Sequence, residues 1–275
     1  MRKLCLTLFS VAAAACGSDA AKSPDAAKAI DAKPIDAKVF LDGAGSGSAS
    51  YNFGCLNVPA PATAADPVTL AGTTDTFNGS TPTTLAMVTV DTYKTGTVQA
   101  VDTKTSDANG AFATGAIATA AVPFDGYIRG SKATYRTTYV YPPNKVVANL
   151  AGVPVPMISN ALLTMYQPLL QQNDTANGML FISVADCSLM PIAGTTLSVK
   201  QNGAEVGTKR ELSSLGITGG DGVFIVANVP DGNTTISATY NAMTFPSHVV
   251  VAHKKPADVN AEATVTVSAV VPGFF

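Results

Sequence analysis

The sequence predicts an all-β fold built twice in tandem. Three observations carry this. Thr, Val, Ala and Gly dominate and charged residues are only 13% of the 275, a composition suited to pleated, half-buried strands. Short alternating runs are punctuated by Asn-Gly, Asp-Gly and Pro, the residues of tight turns. An internal repeat then divides the chain beyond residue 51 into two copies.

The first element is a leader. Arg2 and Lys3 precede an apolar run at 4–15 that is too short to span a bilayer, and Ala13-Ala14-Ala15 supplies small residues directly before Cys16. This arrangement resembles a bacterial lipoprotein precursor, with Ala13 where that family usually has leucine. The resemblance implies a signal peptide at 1–15 and acylation of Cys16, with more than one chain giving stable anchoring. Gly17, rather than aspartate, follows the cysteine, which implies export to the outer membrane, on either its periplasmic or its surface side. Ordinary secretion after Ala15 is the alternative processing route.

Residues 16–50 carry the lipidated cysteine and a flexible linker. Ala, Asp, Lys, Pro, Gly and Ser make up the stretch from 17 on, with near-repeats such as Ile30-Asp31-Ala32-Lys33 and Ile35-Asp36-Ala37-Lys38. Nothing in it can form a core, and Pro24 and Pro34 interrupt a helix, so it reads as a disordered tether spanning roughly 30 to 35 Å. A solvated helix held by Asp-to-Lys pairs is the other reading.

From residue 51 the chain is long enough for two ordinary domains, placed at 51–172 and 173–275. The clearest strands are 84–93, 133–141, 178–185, 195–199, 234–240 and 263–271. Ser106-Asp107-Ala108-Asn109-Gly110-Ala111-Phe112 lines up with 218–224, and Val122-Pro123-Phe124-Asp125-Gly126 with Val229-Pro230-Asp231-Gly232. In both copies the order is strand, long hairpin, Gly-turn-Phe strand, Pro-Asp-Gly turn, strand ending in Tyr.

That order, above all Pro191-Ile192-Ala193-Gly194-Thr195-Thr196-Leu197-Ser198-Val199, Gly222-Val223-Phe224 and Asn228-Val229-Pro230-Asp231-Gly232, resembles the carboxypeptidase regulatory-like domains over about 90 residues of the second copy. The first copy matches more loosely. The resemblance implies two Greek-key transthyretin-like β-sandwiches in tandem, joined by a short helix and preceded by the tether. The helix is expected near 159–170, where Met157, Ile158, Ala161, Leu162, Met165, Tyr166, Leu169 and Leu170 recur at helical spacing. Ser159 is placed to cap it, and Pro168 to kink or end it. A brace between the copies is one role for it, a membrane-contacting face the other.

Reactive side chains are scarce. The chain has two histidines, and residues 51–172 contain neither His nor Glu, so the first copy can build no histidine-based triad or zinc site. His248 and His253, five apart in an apparent strand, point to opposite faces and read as surface or edge residues. Asp107-Ala108-Asn109-Gly110 begins like a calcium loop but lacks the later ligands, and reads as a turn. The net charge is −2, and loss of Arg2 and Lys3 makes the processed chain more acidic, so nucleic acid is not expected as a partner. No catalytic residue, cofactor or metal is predicted.

Tyr127, Tyr135, Tyr139 and Tyr141 form the best candidate binding feature. The last three alternate on one strand, and Arg129 or Arg136 could donate hydrogen bonds beside them. Tyr139 and Tyr141, at a strand end closed by Pro142 and Pro143, are the candidate ligand-binding pair. Core packing is the competing reading of these rings. After processing, Cys55 and Cys187 remain and are expected either to form a disulfide or to stand as two buried thiols. The chain is thus expected to be a membrane-anchored cell-envelope lipoprotein serving as a non-enzymatic binding or structural module. Its expected partners are the membrane, through the N-terminal lipid, and a cell-surface glycan or envelope protein. A carbohydrate-binding surface protein and an envelope enzyme are the alternatives.

Overall fold

The computed structural model describes residues 50–77, 82–171, 177–217, 220–253 and 264–275. The leader, Cys16 and the tether up to residue 49 lie outside the described residues.

The first copy consists of β1 (Leu70–Phe77), β2 (Thr83–Thr84), β3 (Thr89–Lys94), β4 (Ala100–Thr105), β5 (Ala111–Ala113), β6 (Gly126–Ser131), β7 (Thr138–Val140) and β8 (Leu150–Ile158). Strand β1 pairs antiparallel with β5 and parallel with β8, while β3 pairs with β4 and β6, and β6 with β7. After helix α1 (Asn160–Leu170) comes the second copy: β9 (Gly178–Val184), β10 (Thr196–Gln201), β11 (Ala204–Glu205), β12 (Thr208–Glu211), β13 (Val223–Val229), β14 (Gly232–Tyr240), β15 (Met243–Thr244), β16 (His248–Ala252) and β17 (Val265–Val270). Here β9 pairs antiparallel with β13 and parallel with β17, β10 pairs with β11 and β14, and β14 with β16. These pairings correspond, β1 to β9, β3 to β10 and β6 to β14, so the sequence repeat is also a repeat of topology, although β2 joins β1 whereas β12 joins β13. The fold is all-β, with two sheets facing each other in each copy.

The copies share a sheet. Strand β7 pairs parallel with β17, placing Thr138 opposite Val265, Tyr139 opposite Thr266 and Val140 opposite Val267. The β4-β3-β6-β7 sheet of the first copy therefore runs on into β17-β9-β13-β12 of the second as one sheet of eight strands. Both edges that meet there lose their unpaired backbone groups, which would otherwise face solvent.

This fusion explains the long apolar runs. All seven residues of β9, Gly-Met-Leu-Phe-Ile-Ser-Val, are buried, as expected for a strand covered on both faces. Leu180, Ile182 and Val184 join the core of the second copy, with Leu197, Val199, Ile236 and Val250. Met179 and Phe181 turn the other way, into a core that holds Val90, Ile128, Val155 and Met157 of the first copy together with Leu163 and Leu170 of α1. Each fully buried Leu or Ile contributes about 1.5 to 3 kcal/mol.

Helix α1 begins where Ser159, in extended conformation, accepts a hydrogen bond from the Leu162 amide at 3.2 Å. Pro168 does not stop it at once. The helix runs two residues further and ends at Gln171 in the left-handed conformation (φ 52°). Leu163 and Leu170 are buried, whereas Met165 and Leu169 are exposed on the opposite side.

Two strands are shorter than the alternating pattern suggests. Met87 (φ 58°) delays β3 until Thr89, and Thr134 (φ 69°) breaks the 133–141 run, leaving only β7. Tyr135 is held instead in an isolated bridge with Ser159. Conversely, β8 carries Pro154 and Pro156 yet forms nine residues of strand, because it pairs only with β1 and its other edge needs no amide donors. Close packing of the two sheets of the first copy depends on Gly130, where a Cβ would stand 2.7 Å from Val155 Cγ1 and 2.9 Å from Met157 Sδ.

The segment before the first copy is fastened to the second. Cys55 and Cys187 form a disulfide with 2.05 Å between sulfurs. Around it, Asn52 N donates to Asp186 Oδ2 (2.7 Å), Cys187 N to Asn52 O (2.8 Å), Asn57 N to Pro272 O (3.0 Å) and Phe274 N to Val58 O (2.9 Å).

Candidate functional site

The tyrosines expected to line a site lie on the outer face of the β3-β6-β7 sheet, where period-two alternation brings Tyr93, Tyr127 and Tyr139 side by side, with Tyr141 just beyond β7. Tyr127 stacks between Tyr93 (centroids 5.1 Å, 12°) and Tyr141 (4.9 Å, 25°). Tyr139 stacks on the imidazole of His253 at 3.6 Å and 14°. The Tyr141 hydroxyl and His253 Nε2 are hydrogen-bonded at 3.0 Å. Tyr139 and Tyr141 are 6% and 4% exposed and belong to the core of the second copy. As placed, the two rings fill the joint between the copies. Tyr135 stands apart, packed against the other core, because Thr134 turns the chain between them. Tyr240, its repeat counterpart, packs against Tyr51 and Phe53, each at 5.7 Å.

The two arginines differ. Arg136 is buried, 2% exposed, with its backbone N–H donating to Ile158 O. Arg129 lies over the Tyr93 ring at 5.2 Å and donates from Nη2 (2.6 Å) and Nε (3.1 Å) to Asp91 Oδ2. Asp91 also accepts from Thr103 Oγ1 (2.7 Å). Burial raises the phenol pKa of Tyr93, Tyr127, Tyr139 and Tyr141, so all four hydroxyls stay protonated at neutral pH.

Of the surface or edge positions that their spacing suggests, His248 takes the edge, opening β16, which pairs only with β14, and both histidines are half-buried. Burial pulls both imidazoles down to about 4, against the opposing pull of Asp125 on His248 and of Asp231 on His253. They do not converge. Among the described residues no three His, Cys, Asp or Glu side chains come together to hold a metal.

Several carboxylates hold backbone. Asp107 Oδ1 accepts from the amides of Asn109 (2.8 Å) and Ala111 (2.9 Å), making the Asp-Ala-Asn-Gly segment a turn with Gly110 at φ 74°. Asp186 builds a turn of the same kind after β9, accepting from Ser188 N (2.8 Å) and Met190 N (2.9 Å). Sequence comparison missed that second turn, since Asp186-Cys187-Ser188-Leu189 has no glycine; Leu189 takes the positive φ of 64° itself. Glu211 Oε1 accepts from Gly222 N (2.6 Å), and Glu205 is paired with Lys209 (2.5 Å).

Beside the closed tyrosine cluster lies an open groove of about 350 Å³. Its walls come from residues 57–60, the loop after Tyr141, the start of β16 and the C-terminal strand. The strand end singled out in the sequence does border it, through Pro143 and Asn144 rather than through the tyrosine rings.

No family model matches the chain, and no curated protein matches it. Among solved structures, it is similar to the Bacillus anthracis TIE protein (12% identity, 75% of this chain and 34% of that one, TM-score 0.26). It is also similar to the shaft pilin SpaA of Lactobacillus rhamnosus GG (10%, 78% and 99%, 0.23) and to a streptococcal ancillary pilin (13%, 74% and 62%, 0.23). The chain spans about a third of the TIE protein. Likenesses this loose carry no weight for fold or role.

Proposed function

We propose that this chain is a non-enzymatic module of the bacterial envelope, anchored through acylated Cys16 and held off the outer membrane by its 16–50 tether. Its regulatory-like sandwiches serve as structural or binding units. The observation that carries the reading is where the reactive side chains are used. Asp107, Asp186 and Glu211 bind turn amides, Asp91 binds Arg129, and His253 is stacked and hydrogen-bonded in the joint. A catalytic acid or base needs a free lone pair or proton facing a substrate, and these groups are committed to the fold.

The leader supports the anchoring part, and palmitate labelling with membrane fractionation tests it. Label and outer-membrane partition are expected for the natural chain and are lost in Cys16→Ala. A Cys16→Ala protein that still labels would overturn the anchor.

A further inference from the structure

The groove beside the tyrosine joint concentrates hydrogen-bonding groups. Asn57, Asn144, Ser247 and His248 all line it. Asn57 and Ser247 are exposed there, and among the described residues His248 Nε2 is enclosed without a partner. Asn144 makes one long bond, from Nδ2 to Gly273 O at 3.4 Å. None of the lining residues is charged. Asp125, whose charge acts on His248, is paired with Lys145 at 3.0 Å.

The remaining walls are apolar and stiff. Pro59, Pro143, Pro246 and Phe274 present flat C–H surface or an aromatic ring. The 57–60 wall is pinned by the Cys55–Cys187 disulfide and by two backbone hydrogen bonds to the C-terminal strand, Asn57 N to Pro272 O and Phe274 N to Val58 O. A pre-formed site avoids the ordering cost of binding. On the 57–60 wall those two bonds use the backbone groups that an added peptide strand would need, and proline offers no amide donor. Recognition on that wall therefore runs through neutral side chains. Asn and Ser each combine donor and acceptor, matching adjacent hydroxyls, while the proline and phenylalanine surfaces match an apolar ring face.

We propose that this groove binds an uncharged, polyhydroxylated ring, a single saccharide residue, with Asn144 and Ser247 reading its hydroxyls. The site deepens the binding half of the proposed function and rests on that reading.

Titration of the purified protein by NMR tests it, with glucose and N-acetylglucosamine as neutral probes and glucuronate as the charged one. A β-1,4-linked tetramer of N-acetylglucosamine separates a free sugar from a sugar within a glycan chain. The neutral probes are expected to shift the amides of Asn57, Asn144 and Ser247, glucuronate to shift them less, and Asn144→Ala and Ser247→Ala each to weaken binding about three- to tenfold, the worth of one hydrogen bond. If sugars bind but both variants bind equally well, the groove is the wrong place and the binding reading stands. If no neutral sugar shifts these amides, the saccharide assignment falls, while the proposed function, for which an envelope protein is also an expected partner, is untouched.

Discussion

The Tyr139 ring lies 3.6 Å from the His253 imidazole, tilted only 14° from it, and this contact crosses from the first copy to the end of β16 in the second. The neighbouring Tyr141 adds its hydrogen bond to the same imidazole. A pair that sequence alone leaves between a binding strand end and core packing is therefore part of the seal between two sandwiches. Tyr139→Ala should destabilise the protein by about 3 kcal/mol, in the range for removing a buried aromatic ring. Tyr141→Phe, which loses only the hydroxyl, should cost about 1 kcal/mol. Urea unfolding curves measure both.

Stability should fall as pH drops from about 6.5 toward 4. In that window the unfolded histidines, with an ordinary value near 6.5, take up protons that the buried folded ones, at about 4, do not. Binding protons to the unfolded state favours unfolding as pH falls. The contribution is fully present above 6.5, and each unit of lowering corresponds to about 1.4 kcal/mol. His253→Gln should flatten the slope of unfolding free energy between pH 7 and pH 5; an unchanged slope would remove His253 as its source.

Gly130→Val should lower stability by about 2 kcal/mol or more, through the clash with Val155 and Met157 across the first core. Gly96→Ala, where a Cβ meets nothing within 4 Å, pays only for its positive φ of 82° and serves as the comparison. Thermal melts of the two variants separate packing from backbone strain.

Reduction should destabilise the protein by about 2 to 4 kcal/mol, since the Cys55–Cys187 bridge closes a loop with a sequence separation of 132. Hydrogen exchange should then report loss of protection at the Asn57 amide, whose bond to Pro272 sits beside the bridge. A melt indifferent to reductant would contradict this.

Much of the fold was legible because strand periodicity and turn chemistry are local. The Asp107 turn, the 178–185 strand and the Ser159-capped helix follow from neighbouring residues alone. What was not legible is set by distant partners. Strand β8 hides behind Pro154 and Pro156, which are tolerated only because that edge is unpaired. The alternation of Tyr135 with Tyr139 is broken by one positive φ at Thr134. The burial of Tyr139 and His253 depends on β7 meeting β17, residues more than a hundred positions apart. The groove was invisible for the same reason, its walls being drawn from four separate stretches of chain.

The two copies form one body through the β7–β17 ladder and the tyrosine joint. Differential scanning calorimetry of the purified protein tests it most directly. One transition is predicted, with calorimetric and van't Hoff enthalpies equal, and Tyr139→Ala is predicted to lower that single transition as a whole. Two independent transitions in the natural protein, only one of them moved by Tyr139→Ala, would contradict it.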